Sequence, residues 1–162
     1  MGIAIRRFQE NDAKALVALT KAAIYGIGKR AYTPTQVAAW AAHSSCSQRF
    51  LASAAKGDTV LIAVDPMDRP IAYAVLDADG DVDMLYAHPD YAGRGLAGTL
   101  LLEVESRAKK AGVTRLFTQA SEIARPVFER AGYVVLHRCD FSIGPDHAPV
   151  LIHNYAMEKR LG

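Results

Sequence analysis

Only two cysteines, Cys46 and Cys139, occur in 162 residues, far apart and outside any C-x-x-C spacing, which argues against a disulfide framework or a zinc site. Both read as ordinary reduced thiols. No apolar run approaches the ~20 residues that a membrane-spanning helix needs. The opening segment Met1-Gly2-Ile3-Ala4-Ile5-Arg6-Arg7 lacks the apolar stretch and cleavage site of a signal peptide, and Arg6 stands where a myristoylation site wants Ser or Thr. A cytoplasmic protein without a membrane partner is the expectation. An excess of one charge is missing too: 19 Lys plus Arg stand against 17 Asp plus Glu, a net charge of +2, with no long like-charge run. That argues against nucleic acid as a partner. Internal repeats, low-complexity tracts and linkers are absent as well.

What is present is apolar. A chain of this length with 51% hydrophobic residues has enough to bury one core, so residues 1–162 are expected to form a single domain. Ile3, Ile5 and Phe8 alternate as a short strand, and Asn11-Asp12 offers an N-cap for a helix carrying Leu16, Leu19, Ala23 and Ile27. Two shorter helical pieces follow over 35–42 and 50–55. The β-branched runs 59–64 and 71–76, joined by the turn-rich Asp65-Pro66-Met67-Asp68-Arg69-Pro70, read as a hairpin that 82–87 extends into an antiparallel meander.

Leu96, Leu100, Leu101, Val104, Ala108 and Ala111 mark one face of a long helix ended by Gly112, with Glu103–Arg107 and Glu105–Lys109 as i,i+4 pairs on its other side. A strand over 116–119, a short helix capped by Ser121 and ended by Gly132, and strands over 134–141 and 151–157 complete the chain. The order of elements implies an α/β fold with a mixed, mainly antiparallel sheet of six or seven strands flanked by helices, and one parallel crossover through the long helix.

Between the meander and that helix lies Ala92-Gly93-Arg94-Gly95-Leu96-Ala97-Gly98. Glycines before a helix start let backbone N–H groups converge on an anion, and the helix adds unpaired donors and the positive end of its dipole. A nucleoside triphosphate loop would need Gly-Lys-Ser/Thr, and Gly98-Thr99 has no Lys between them. Gly93, Gly95 and Gly98 match G-x-G-x-x-G, but a dinucleotide fingerprint belongs after the first strand of a βαβ unit, not after a meander.

Residues 82–97, Val82-Asp83-Met84-Leu85-Tyr86-Ala87-His88-Pro89-Asp90-Tyr91-Ala92-Gly93-Arg94-Gly95-Leu96-Ala97, closely resemble the acetyl-CoA motif of the GCN5-related N-acetyltransferase (GNAT) family. The family pattern Arg/Gln-x-x-Gly-x-Gly/Ala is met at Gly95 and Ala97 and departed from at Ala92. Ser121-Glu122-Ile123-Ala124-Arg125-Pro126-Val127-Phe128-Glu129-Arg130-Ala131-Gly132-Tyr133 is similar to the family's second signature. The element order agrees through the closing strand, whereas the first 57 residues carry little of the likeness.

The resemblance implies a single-domain GNAT-like fold and acetyl-CoA as cosubstrate, with no metal. It also implies direct transfer of the acetyl group to a primary amine of a small molecule or protein, and a homodimer is compatible with it. Coenzyme contacts would come from Leu85, Tyr86, Ala87, Gly93, Arg94, Gly95, Leu96, Ala97, Gly98, Thr99, Ser121 and Phe128. A bulge around Leu85-Tyr86-Ala87 would free amides for the thioester carbonyl.

Transfer to an amine needs a base, because an alkylammonium has a pKa of about 10.4. Asp81 and Asp83 are the candidates, sharing a face by two-residue alternation; they also read as a solvated strand start. Tyr25, Tyr32, His88, Glu122 and His153 are further candidates. Where many members of the family carry a tyrosine to protonate the leaving thiolate, this chain has Phe128, which leaves Ser121, Tyr133 or Tyr155, or water. Tyr25, Tyr32 and Trp40 are placed to line an acceptor pocket. Ala92 and Phe128 together motivate the alternative of a non-catalytic acyl-CoA-binding module on the same fold.

Overall fold

A computed structural model describes residues 2–44 and 46–162; Met1, part of the leading segment considered above, and Ser45 lie outside the described residues. The strands are β1 (Ala4–Arg7), β2 (Thr59–Val64), β3 (Pro70–Leu76), β4 (Val82–Ala87), β5 (Arg115–Ala120), β6 (Val134–Ile143) and β7 (Val150–Arg160). The α-helices are α1 (Ala13–Ile27), α2 (Pro34–His43), α3 (Ser47–Ala55), α4 (Leu96–Lys110) and α5 (Arg125–Arg130). Strands β1-β2-β3-β4 form one antiparallel sheet and β5-β7-β6 another. Among the described residues the two are hydrogen-bonded to each other where β4 begins: Asp81 and Phe117 form a parallel bridge, the Phe117 amide donates to Gly80 O (3.0 Å), and the Thr118 hydroxyl donates to Val82 O (2.8 Å). This is the parallel crossover expected through the long helix.

The continuous apolar runs of β2 and β3 follow from burial on both faces. Leu61, Ala63, Ala72, Ala74 and Leu76 join the core beneath α4, together with Leu100, Leu101 and Val104. Val60, Ile62, Val64, Tyr73 and Val75 join the core beneath α1, with Leu16, Leu19 and Phe50. A third, smaller core seats α2 against β7 through Val37, Ala41, Tyr32 and Ile152.

Three local expectations are corrected. Asp12 is not a side-chain cap of α1: its carboxylate turns back to accept from the Gln9 amide (2.7 Å) and from both terminal nitrogens of Arg6 (2.8 and 2.9 Å). The irregularity of β4 is not at Leu85–Ala87, which stays in register with Ala72–Ala74. It falls at the strand start, where Leu76 faces Val82 and Val75 faces Met84, so Asp83 is an extra residue. Val82 and Met84 accordingly enter opposite cores, and the alternation that would place Asp81 and Asp83 on one face is broken.

Candidate functional site

Beyond Val82 and Thr118, β4 and β5 part, and the site is built in the gap. The His88 amide donates to Ile71 O (2.8 Å) on the β3 side of β4. Alternation then turns the amides of Tyr86 and Met84 toward β3 and leaves those of Leu85 and Ala87 on the edge from which β5 has diverged. Strand divergence, not a bulge, is therefore what frees these donors.

The chain leaves β4 through a short turn, Pro89–Tyr91, started by His88, whose ring Nδ1 accepts from the Asp90 amide (3.1 Å). Pro89 lies so close to α1 that a Cβ on Gly26 would sit 2.5 Å from its Cγ, so the glycine permits the approach. Gly93 and Gly95 both have left-handed backbone (φ 78° and 80°), a conformation side chains resist, and Gly95 starts α4. The Thr99 amide and hydroxyl both donate to Gly95 O (3.0 Å each), closing the first turn. Helix geometry leaves the amides of Leu96, Ala97 and Gly98 without an acceptor inside α4. Nothing stands within 4 Å of a Cβ placed on Gly93, Gly95 or Gly98, so the loop faces open space. Its positive helix end is a ready anion site.

A cleft of about 760 Å³ runs from this loop along Leu85–Ala87, between the end of α1 and α5, lined also by Ala92, Thr99, Ser121, Ile123 and Val127. At its inner end it shares Trp40, Leu85, Tyr86, Ser121 and Ala124 with a smaller cavity of about 120 Å³ between β4 and β5. Asp83, Tyr32, Phe128, His153 and Asn154 line that smaller cavity. An elongated ligand with an anionic end and a small second ligand would meet at this junction.

The sequence candidates separate by position. Asp83 is at the small cavity and ion-paired with Arg49 of α3 (3.2 Å). Asp81 lines neither cavity; half-buried beside Asp83 and Asp77, it is pushed up to about 6, chiefly by burial. Ser121 lines both, and because its Oγ accepts from the Ala124 amide (3.1 Å), its own proton is free to donate. Tyr155 lines neither; its hydroxyl donates to Glu122 (2.8 Å), and that carboxylate raises the phenol's pKa. Tyr133 is buried against Phe128, rings 5.0 Å apart, with its hydroxyl unpartnered and its pKa raised by burial. Arg94 stacks over the Tyr91 ring (5.1 Å). Tyr32 and Trp40 line the small cavity, while Tyr25 stays 51% exposed.

Three regions remote in sequence meet beside that cavity, whose lining includes Tyr32 and His153 but not Glu122 or Arg125. His153 Nε2 and Glu122 Oε2 are 2.7 Å apart, Arg125 lies 3.4 Å from the other Glu122 oxygen, and the Tyr32 hydroxyl accepts from the Glu122 amide (2.8 Å) while donating to His153 O (2.9 Å). His153, foremost, with Tyr155 and Arg125, holds the Glu122 carboxyl below its ordinary range. With Nε2 donating to Glu122, Nδ1 of His153 is left as a proton acceptor, the arrangement by which a carboxylate orients a histidine base. Arg30 and Arg130, at the wide cleft, and Asn154, at the small cavity, were not singled out from the sequence. Arg130 lies inside the second signature and Asn154 opens the closing stretch that resembles the family's last strand, whereas Arg30 gave no local signal.

Comparison with known proteins agrees with this geometry. The model of the GNAT acetyltransferase domain matches residues 28–144. An uncharacterized N-acetyltransferase of Escherichia coli K12, YafP, is 28% identical over 131 residues, covering 81% of each chain. A GCN5-related N-acetyltransferase from Rhodopseudomonas palustris, also described as a class-II aminotransferase, is 32% identical, with a TM-score of 0.87 over 99% of this chain and 97% of its own. PaiA N-acetyltransferase from Thermoplasma acidophilum, whose crystal structure contains coenzyme A, superposes with a TM-score of 0.79 at 19% identity over 99% of both chains. The parted strands, the glycine loop at the head of α4 and the family match place this chain in the GNAT acetyltransferase family.

Proposed function

We propose that the protein is an acetyl-CoA-dependent N-acetyltransferase acting on a primary amine. The observation that carries this reading is the continuity of the two cavities: the wide cleft begins at the amides of Leu96, Ala97 and Gly98 and ends, past the free edge of Leu85 and Ala87, at the cavity holding His153 and Asp83. Acetyl-CoA supplies an acetyl group activated as a thioester. Its pyrophosphate suits the loop, with Arg30 and Arg130 adding positive charge along the cleft, and its extended amide-bearing arm suits the unpaired edge of β4.

The residues then divide the chemistry. His153, oriented by Glu122, removes a proton from the ammonium so that the amine nitrogen can bond to the acetyl carbon. Asp83, on the same cavity, faces the cation without being free of Arg49. Leu85 and Ala87 amides donate to the carbonyl oxygen as it gains negative charge, an effect worth about 3 kcal/mol per donor. When the carbon–sulfur bond breaks, the Ser121 hydroxyl is the donor at the junction of the cavities, a role Phe128 cannot fill and Tyr155 is turned away from.

Thiol release from acetyl-CoA across a panel of primary amines tests the reading. Amine-dependent release is expected, falling about 100-fold in His153→Gln with coenzyme affinity unchanged, and less in Asp83→Asn. Coenzyme binding with no release for any amine would overturn it in favour of a non-catalytic acyl-CoA-binding module. Full activity of His153→Gln would remove the histidine from the base role.

A further inference from the structure

Strand β6 is the outermost of the sheet β5-β7-β6, and among the described residues no strand lies beside its outer edge. Eight of its ten residues are exposed, among them Val134 (57%) and Leu136 (49%). A long edge of this kind is a template for further pairing. What it offers follows from the ladder. The Leu161 amide donates to Thr114 O (2.9 Å) on the β5 side, so by alternation the amides of Ala156, Asn154 and Ile152 face β6. Cys139 stands opposite Asn154, and Phe141 opposite Ile152. Their backbone groups are therefore turned inward, and those of Arg138 and Asp140 point outward.

We infer that this edge pairs antiparallel with the same edge of a second copy of the chain, about a two-fold axis at Cys139. Arg138 then faces the partner's Asp140, and Asp140 the partner's Arg138, as hydrogen-bonded pairs that use the outward amides and carbonyls. Charge selects this register from its neighbours. Moving the axis to Arg138 sets two guanidinium groups opposite each other, and moving it to Asp140 sets two carboxylates opposite each other, both unfavourable. Centred on Cys139, the Arg138–Asp140 pair already formed within one chain (3.0 Å) closes into a ring of four alternating charges.

The same register fixes two further contacts. Cys139 faces its own equivalent at a non-hydrogen-bonded position, where Cα atoms approach to about 4.5 Å, within disulfide range. Phe141 lines the small cavity and shares a face with Cys139, and it faces the partner's His137. The second copy thereby covers one side of that cavity. The register shift between Val135 and His137 limits the regular contact to the segment after it. The pairing holds whether or not the chain transfers acetyl groups.

Sedimentation of the full chain, with and without charge reversal, tests this. Wild type is expected to dimerise; Arg138→Asp and Asp140→Arg are each expected to weaken the dimer roughly tenfold or more, and the double reversal to restore it. Diamide, taking up the two thiol hydrogens, is expected to give a covalent dimer in wild type and Cys46→Ser and none in Cys139→Ser. A wild type that sediments as a monomer throughout, single reversals that leave the dimer intact, or a cross-link that requires Cys46 would each overturn the proposal.

Discussion

Asp81 and Glu122 are carboxylates that the fold treats in opposite ways. Glu122 is surrounded by donors and held charged, which suits the part proposed for it in orienting His153. Asp81 bears the cost of burial beside the like-charged Asp83 and Asp77, which together raise it to about 6. Its folded value lies above its unfolded value of about 3.9, so the folded state keeps a proton that the unfolded chain has released. Stability from this group is full below about pH 4 and is lost as pH rises toward 6. Asp81→Asn is expected to raise the urea midpoint at pH 8 and leave it unchanged at pH 4, measured by urea unfolding at both values. An equal effect at both would contradict the assignment. Sequence alone paired Asp81 with Asp83 because alternation cannot reveal an inserted residue; the extra position at Asp83 is visible only in the register with β3.

At the level of elements, strands and helices were legible wherever one chemical signal dominated. The two-sided apolar runs of β2 and β3, the face of α4 and the glycine-rich entry to it fall where composition and spacing put them. Ends were less legible: β6 and β7 run on to Ile143 and from Val150 to Arg160, beyond their apolar centres, because backbone pairing continues after side chains become polar. Helix α5 shows how a residue marked for coenzyme contact carries packing as well. Phe128 is 2% exposed, in edge contact with Tyr133, and also lines the small cavity. Phe128→Ala is expected to destabilise the protein by about 3–5 kcal/mol in chemical denaturation. A cost below about 1 kcal/mol would mean that α5 is not anchored through this ring.

For the whole molecule, function depends on a separation. Two sheets hydrogen-bonded to each other near Asp81–Phe117 and Val82–Thr118 part beyond that point and leave a wedge, and the crossover through α4 places a helix start at its open end. The loop motif was readable because the anion site proposed there rests on local backbone geometry at Gly93 and Gly95. The Tyr32–Glu122–His153 cluster was not assembled from sequence, because its members come from three regions that only the packing of α2 against β7 brings together. The cleft headed by Gly95 is proposed to hold coenzyme A. Calorimetric titration of wild type and Gly95→Val with acetyl-CoA, ATP and NAD tests it most directly. Wild type should prefer acetyl-CoA, and the variant should bind it roughly 100-fold more weakly, the loss of about two charge-assisted hydrogen bonds. Unchanged affinity in Gly95→Val, or a wild-type preference for ATP or NAD, would contradict it.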